Sequence, residues 1–280
     1  MPEGWEWDET LYAGSAEYYE RGRLPYPARL AEVAASALGL DGSGRLIDVG
    51  CGPGIVALSL AHLFEDVVGV DADRHMLEQA ACRSIERQSS NTTWVAMRAE
   101  DLPADLGRFR VATFGQSFHW LERERVAAAI FTMLQPTGAF VQVHHWSLIG
   151  DPAPETPYPV PPRDEIKQLV EKYLGSSRRA GQGILPAGTP DNEASVLTAA
   201  GFEGPDKALV SGGEIVTASV DDIVARCYST SGSAPHLFGS RRYAFEQELT
   251  ACLHTVSKSG VFAERIRDAE LVIWHKSRYA

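Results

Sequence analysis

The residues able to do chemistry concentrate between positions 45 and 146. In RLIDVGCGPGIVALSLA, Asp48 stands two residues ahead of three alternating glycines, Gly50, Gly52 and Gly54. Apolar residues lead into the glycines and a helical apolar pattern follows, so the segment reads as strand, tight loop and helix, able to bring backbone close to a bound molecule. A second acid, Asp71, ends the β-rich run DVVGVD, where its carboxylate can accept hydrogen bonds from both hydroxyls of a ribose. Further on, FGQSFHW carries His119 and GAFVQVHHW carries His144 and His145. Imidazole titrates near working pH, which makes His119 the candidate general base; the alternative is a histidine that packs beside Phe118 and Trp120. Period-2 alternation turns only one of His144 and His145 to a given face, and either is a candidate for a substrate pocket.

Such residues need elements that gather them. LIDVG, a helix to Phe64, DVVGVD, a helix from Asp73 to Arg87, TTWVAM, FRVATFG, a helix from Glu122 to Leu134 and GAFVQVHHW alternate along the chain. This alternation specifies a parallel sheet with crossover helices on both faces, in which ligands sit at the carboxyl ends of the strands. Gly50 to Gly54, Asp71, Glu100 with Asp101, Gly115 to Trp120 and His144 to Trp146 then share one rim. A proline-rich stretch, DPAPETPYPVPPR, interrupts the pattern at 151–163, and the amphipathic DEIKQLVEKYLG after it reads as the entry to an inserted cap. A helix from Asp191 to Ala200 ending at Gly201, a β-rich run from Lys207 to Thr217, helices near 219–229 and 240–257, and a final strand ELVIWH at 270–275 follow. The expected division is an N-terminal lid and helix over 1–44, a ligand-binding core over 45–146, and cap insertions with the last core strands over 147–280.

Composition narrows the function. The 280 residues, 44% hydrophobic, suffice for a sizeable core, while a net charge of −11 argues against a nucleic-acid backbone as main partner. Trp5, Trp7, Tyr12, Tyr18 and Tyr19 form an aromatic N-terminal segment suited to a lid over an apolar ligand. Four cysteines without paired spacing fit a reducing cytoplasm, and the acidic opening MPEGWEWDET has no basic or apolar leader pattern. No run approaches a membrane span, and no histidine or cysteine spacing matches a metal site, so neither membrane nor metal is expected. Arg178 and Arg179 could make the pocket mouth locally basic.

The glycine loop discriminates between ligands. A dinucleotide site uses G-x-G-x-x-G, whereas Gly50-Cys51-Gly52-Pro53-Gly54-Ile55 lacks the last glycine, and Pro53 removes an N–H donor. Asp48 would oppose a phosphate and suits a ligand carrying an ammonium and a sulfonium, such as S-adenosylmethionine. DVGCGPG, VVGVDADRHML, RAEDLP and FGQSFHW, in this order, resemble a class I S-adenosylmethionine-dependent methyltransferase. With YYERGRLPYP, QSFHW resembles the small-molecule branch that includes trans-aconitate methyltransferase-like proteins.

The resemblance covers residues 12 to about 146 and implies an α/β, Rossmann-like, doubly wound seven-stranded sheet with an N-terminal helical lid and an inserted cap. It implies that Gly50, Gly52 and Gly54 let the backbone approach the cofactor, that Asp48 orients the loop or meets the amino group, and that Asp71 holds the ribose with Ala72 against the adenine. Arg98 stands where many relatives have an acid, so Glu100 or Asp101 is expected to read the adenine amino group. Gln116 would cover the cofactor through its backbone. Tyr19, Arg23 and Tyr26 lie where relatives fold a helix over it, with Arg23 a partner for the methionine carboxylate and Tyr26, Trp120, His144 and His145 facing substrate. The implied function is methylation of a small molecule, with S-adenosylhomocysteine as product. Oxygen is the first expectation for the acceptor atom and nitrogen or carbon the alternatives; a cofactor-binding protein without chemistry and an NAD-dependent oxidoreductase are the competing classes.

Overall fold

A computed structural model of the chain describes residues 10–176 and 192–277, with the backbone alone at 179–180 and 183–184. Trp5, Trp7, Arg178, Asp191 and the side chain of Arg179 lie outside the described residues. Helices α1 (Ala16–Gly22) and α2 (Leu30–Leu38) precede β1 (Arg45–Val49), α3 (Ile55–Leu60), β2 (Asp66–Asp71), α4 (Arg74–Glu86), β3 (Thr92–Ala96), β4 (Phe109–Gly115), α5 (Arg123–Met133) and β5 (Leu134–His145). Next come β6 (Asp151–Pro152), α6 (Arg163–Leu174), the two-residue strands β7 (Arg179–Ala180) and β8 (Gly183–Ile184), α7 (Glu193–Ala199) and β9 (Phe202–Val210). The chain continues through β10 (Ile215–Ser219), α8 (Val220–Tyr228), α9 (Pro235–Phe238), α10 (Arg242–Val256), β11 (Val261–Arg265) and β12 (Ala269–Lys276).

Seven strands form one α/β sheet in the order β3-β2-β1-β4-β5-β12-β9, as the doubly wound reading expects. The first five pair in parallel, and β12 runs antiparallel between β5 and β9. Strands β1, β2 and β4 are buried along nearly their whole length because helices cover both faces. Alternate residues of β1 feed opposite cores: Leu46 packs with Leu60, Val111 and Val141, whereas Ile47 packs with Phe114, Phe140 and Ile130. The strand ends, and with them Val49, Asp71 and Gly115, are thereby held at one edge.

The cap has its own apolar core, in which Tyr173, Tyr228, Phe238, Phe245 and Phe262 pack together. Its sheet, in the order β10-β11-β6, comes from two insertions, one after β5 and one between β9 and β12. The run Lys207 to Thr217, which reads as a single β-rich segment, is divided between the two sheets. The break falls at Gly212, where any Cβ would meet the Ile266 carbonyl oxygen at 2.4 Å, and Gly213, whose φ of +111° suits glycine. Strand β11 has no counterpart in the sequence reading, since VFAER is short and its burial is decided by its cap neighbours. Helix α1 docks on α8 so closely that a Cβ on Gly22 would lie 2.6 Å from the backbone of Ala225 and Arg226. The N-terminal lid is thus fastened to the cap.

Candidate active site

The site begins at the end of β1. Asp48, 1% exposed, accepts the Thr113 hydroxyl hydrogen at 2.8 Å and the Ala57 amide at 3.2 Å, tying β1 to β4 and to the first turn of α3. Burial pushes its carboxyl up to about 7. Asp71 accepts the Gly52 amide at 2.7 Å on one oxygen and the Asp73 amide at 2.9 Å on the other, and burial pushes it up to about 6. Two acids therefore brace the loop region, buried Asp48 through the start of α3 and half-buried Asp71 through the Gly52 amide.

The three glycines have different surroundings. A Cβ on Gly50 would sit 2.6 Å from Cβ of Ser117, and one on Gly54 2.6 Å from the Trp94 ring, so both are required by protein packing. At Gly52 a Cβ would meet nothing within 4 Å. Only Gly52 opens onto the cleft in this way.

The cleft has two limbs. The wider, about 380 Å³, is lined by Tyr12, Tyr19, Gly50, Gly52, Asp71, Ala72, Met97, Glu100, Asp101, Gln116 and Trp120 among others. The narrower, about 50 Å³, is lined by Tyr19, Arg23, Tyr26, Asp48, Gly50, Gly52 and Gln116 with their neighbours. Tyr19 and Gln116 border both. Gln116 has a φ of +59°, receives the Trp120 indole N–H on its carbonyl at 3.1 Å and donates its side-chain amide to the His145 carbonyl at 3.0 Å. Buried Glu100 accepts the Glu122 amide at 3.1 Å at the start of α5, with the Arg98 guanidinium 3.4 Å away, while Asp101 is exposed.

The histidines do not gather at the cleft as expected. His119 packs its ring on Trp120, 4.7 Å between centroids, and lines neither limb. Burial, followed by the His144 and Arg123 charges, pushes its imidazole down to about 4. His145 is 4% exposed, packs its ring at a tilt against Tyr26 with 4.8 Å between centroids, and places Nε2 3.0 Å from the Pro25 carbonyl, so it holds the Pro25–Tyr26 segment. His144, half-buried, also lines neither limb. Ser147 and Ser229, which anchor the Arg23 guanidinium at 3.1 and 3.0 Å, escaped the sequence reading because serines on separate elements carry no spacing signal. Among the described residues no cluster of three or more potential metal ligands occurs.

Residues 46–138 match a family model described as a methyltransferase domain. Together with the sheet order and the loop geometry, this decides the family of the core. It is a class I S-adenosylmethionine-dependent methyltransferase domain. The chain is 26% identical over 151 residues to YcgJ of Bacillus subtilis strain 168, described as an uncharacterized methyltransferase; the match covers 54% of this chain and 57% of that protein. The solved YcgJ structure superposes with a TM-score of 0.50 at 15% identity, covering 88% of this chain and 97% of that one, a likeness of fold. A 2-heptyl-1-hydroxyquinolin-4(1H)-one methyltransferase of Mycobacteroides abscessus is 25% identical over 170 residues, 59% of this chain and 74% of that protein. Methyltransferases of the class I family use S-adenosylmethionine as methyl donor. The residues of this chain fit that molecule: the space above Gly52 admits a ligand against bare backbone, a limb of nucleoside size carries Asp71, and the narrow limb carries Arg23 and Asp48.

Proposed function

We propose that the chain is an S-adenosylmethionine-dependent methyltransferase that methylates an oxygen of a small, largely apolar molecule. The observation that carries this reading is the two-limbed cleft whose limbs share Gly50 and Gly52, with Asp71 on the wide side and Arg23 and Asp48 on the narrow side. Asp71 would accept the ribose hydroxyl hydrogens, and Ala72 would lie against the adenine. Asp101 would meet the adenine amino group, because Glu100 already holds the start of α5. Arg23 would pair with the methionine carboxylate.

When bound, S-adenosylmethionine supplies a methyl carbon activated by its sulfonium. The chain's part is alignment and exclusion of water: Tyr19, Tyr26 and Trp120 wall the cleft, and Gln116 forms its floor between the two limbs. No proton transfer is assigned to His119, which lies outside the cleft with a depressed pKa; an acceptor oxygen already ionised at neutral pH needs none. The acceptor's apolar body would enter the cap cavity of about 420 Å³ between α6 and α8, where Leu148, Ile149, Ile166, Val170, Leu174 and Ile223 contribute to the wall. The Mycobacteroides relative is named for a heptyl-bearing acceptor, which is of this character.

A net charge of −11 disfavours nucleic acid as substrate, no helix among the described residues is long and apolar enough to cross a membrane, and four free thiols suit the cytoplasm. Calorimetry with S-adenosylmethionine, S-adenosylhomocysteine and NAD tests the cofactor, and incubation of a metabolite extract with labelled S-adenosylmethionine tests the reaction. Binding of the first two ligands and a labelled product heavier by one methyl group are expected. Binding of NAD alone, or labelled methyl on nitrogen or carbon only, overturns the corresponding part of the reading.

A further inference from the structure

Arg23 sits in a slot whose walls belong to the cap and to the loop after β5. On one wall its guanidinium donates to Ser229 at the end of α8, 3.0 Å to the hydroxyl and 2.6 Å to the carbonyl. On the other it donates to the Ser147 hydroxyl at 3.1 Å, and the next residue, Leu24, donates its amide to the Ser147 carbonyl at 2.7 Å. The preceding residue is held as well: Arg226, one turn before Ser229 on α8, donates Nε to the Gly22 carbonyl at 3.0 Å. Three consecutive lid residues are thus gripped from two sides.

Both walls meet at one buried carboxylate. Glu264 on β11, 1% exposed, accepts from Arg226 Nη1 at 2.5 Å with one oxygen and from the Gly150 amide at 3.0 Å with the other. Gly150 lies three residues beyond Ser147, so this acid joins α8 to the loop that forms the opposite wall. Arg163 of α6, 3.2 Å from the same carboxylate, is a second cation on it. A charge triad of this kind is weak evidence for net stability, but it fixes geometry, because Glu264 left alone would be a desolvated ion.

We propose that Arg226 and Glu264 are positioning residues for the cofactor cleft: they set the slot that presents Arg23 to the narrow limb, although neither lines that limb. The inference rests on reading the cleft as the S-adenosylmethionine site. It gives the cap a second task besides receiving the acceptor, since the cap then determines how tightly the cofactor is held.

A double-mutant cycle on S-adenosylhomocysteine affinity tests it, using the full chain and calorimetry. Arg23→Met and Arg226→Met should each weaken binding by about tenfold, the scale of one charge-assisted hydrogen bond. Arg226→Met leaves the Glu264–Arg163 pair in place, so the acid is not stranded. Because Arg226 acts through Arg23, the double variant should bind no more than about twofold more weakly than Arg23→Met alone. A product of the two losses, near a hundredfold, overturns the proposal, as does unchanged affinity in Arg226→Met. Arg226→Lys, which keeps a donor for the Gly22 carbonyl, should recover part of the affinity; no recovery assigns Arg226 to packing alone and overturns the proposal. If Arg226→Met does not fold, Glu264→Gln replaces it in the same cycle with the same two readings. A wild-type chain that binds no S-adenosylhomocysteine defeats the reading of the cleft itself, a result distinct from an additive cycle.

Discussion

Asp71 and Gly52 are joined directly, the acid at the end of β2 accepting the glycine amide at 2.7 Å across the strand-to-helix loop that follows β1. The carboxylate that faces the wide limb therefore also sets the position of the loop over which a ligand would lie. Asp71→Ala should lose both functions together, with a weakening of S-adenosylhomocysteine binding of at least about 2 kcal/mol, as expected for bonds to a charged group. Asp71→Asn, which keeps one acceptor, should lose less. Wild-type affinity in the alanine variant, measured by calorimetry on protein with unchanged circular dichroism, removes the ribose assignment.

Proton linkage sets Asp48 and Asp71 apart from ordinary surface acids. Burial pushes Asp48 up to about 7 and Asp71 up to about 6 from an ordinary 3.8. Each folded value exceeds the unfolded one, so the contribution to stability is full below about pH 4 and is lost as pH rises through 6 to 7. Asp48→Asn should accordingly gain on the wild type, by on the order of 3 kcal/mol between pH 4 and pH 8. The fixed cost of placing an amide nitrogen near the Ala57 amide cancels in that comparison. Urea unfolding at the two pH values measures the difference; an equal offset at both contradicts the burial of a proton-binding Asp48.

Ligand binding responds to pH with the opposite sign at Asp71. Its ionised form is the one that accepts hydroxyl hydrogens, so S-adenosylhomocysteine affinity should rise as pH increases through about 6. Titrations at pH 5, 6 and 7.5 check this. A monotonic fall over the range would exclude an acceptor role for the carboxylate.

The glycine motif makes a divergent pair of predictions. Gly54→Val would drive a side chain into the Trp94 ring, already 2.6 Å from an ideal Cβ, and should lower the melting temperature. Gly52→Val meets open space but must hold a φ of +53°, costing about 1–2 kcal/mol of stability while its side chain occupies the cleft. Its main effect should be on affinity, by more than tenfold. Differential scanning calorimetry with and without S-adenosylhomocysteine separates the two; equal ligand-induced shifts in wild type and Gly52→Val count against the cleft reading.

His119 provides the mechanistic test. With its pKa pushed down to about 4, the imidazole is neutral from pH 5.5 to 8, and turnover should show no histidine titration in that window. His119→Ala should retain turnover within about threefold, with any loss appearing in KM through the ring's contact with Trp120. A drop of 10²-fold or more in kcat, with a rate that falls on the acid side of pH 6 to 7, would restore the general-base role.

The sequence by itself determined the core sheet and the rim of the site. The alternation of strand and helix is a local pattern, and chain connectivity alone carries the ends of β1, β2 and β4 to one edge, so the places of Asp48, Gly52, Asp71 and Gln116 are legible in the sequence. Their partners are not. That Gly54 answers to Trp94, that Ser147 and Ser229 hold Arg23, and that Glu264 joins both walls of its slot depend on residues 38 to 206 positions apart, whose types are ordinary for buried or partly buried positions. His119 and His145 show the same division: strand register placed both near the rim, but which way each ring turned was settled by packing against Trp120 and Tyr26. Periodicity fixes the face a residue occupies, whereas contact across elements depends on how the layers close, and only the tertiary structure decides that.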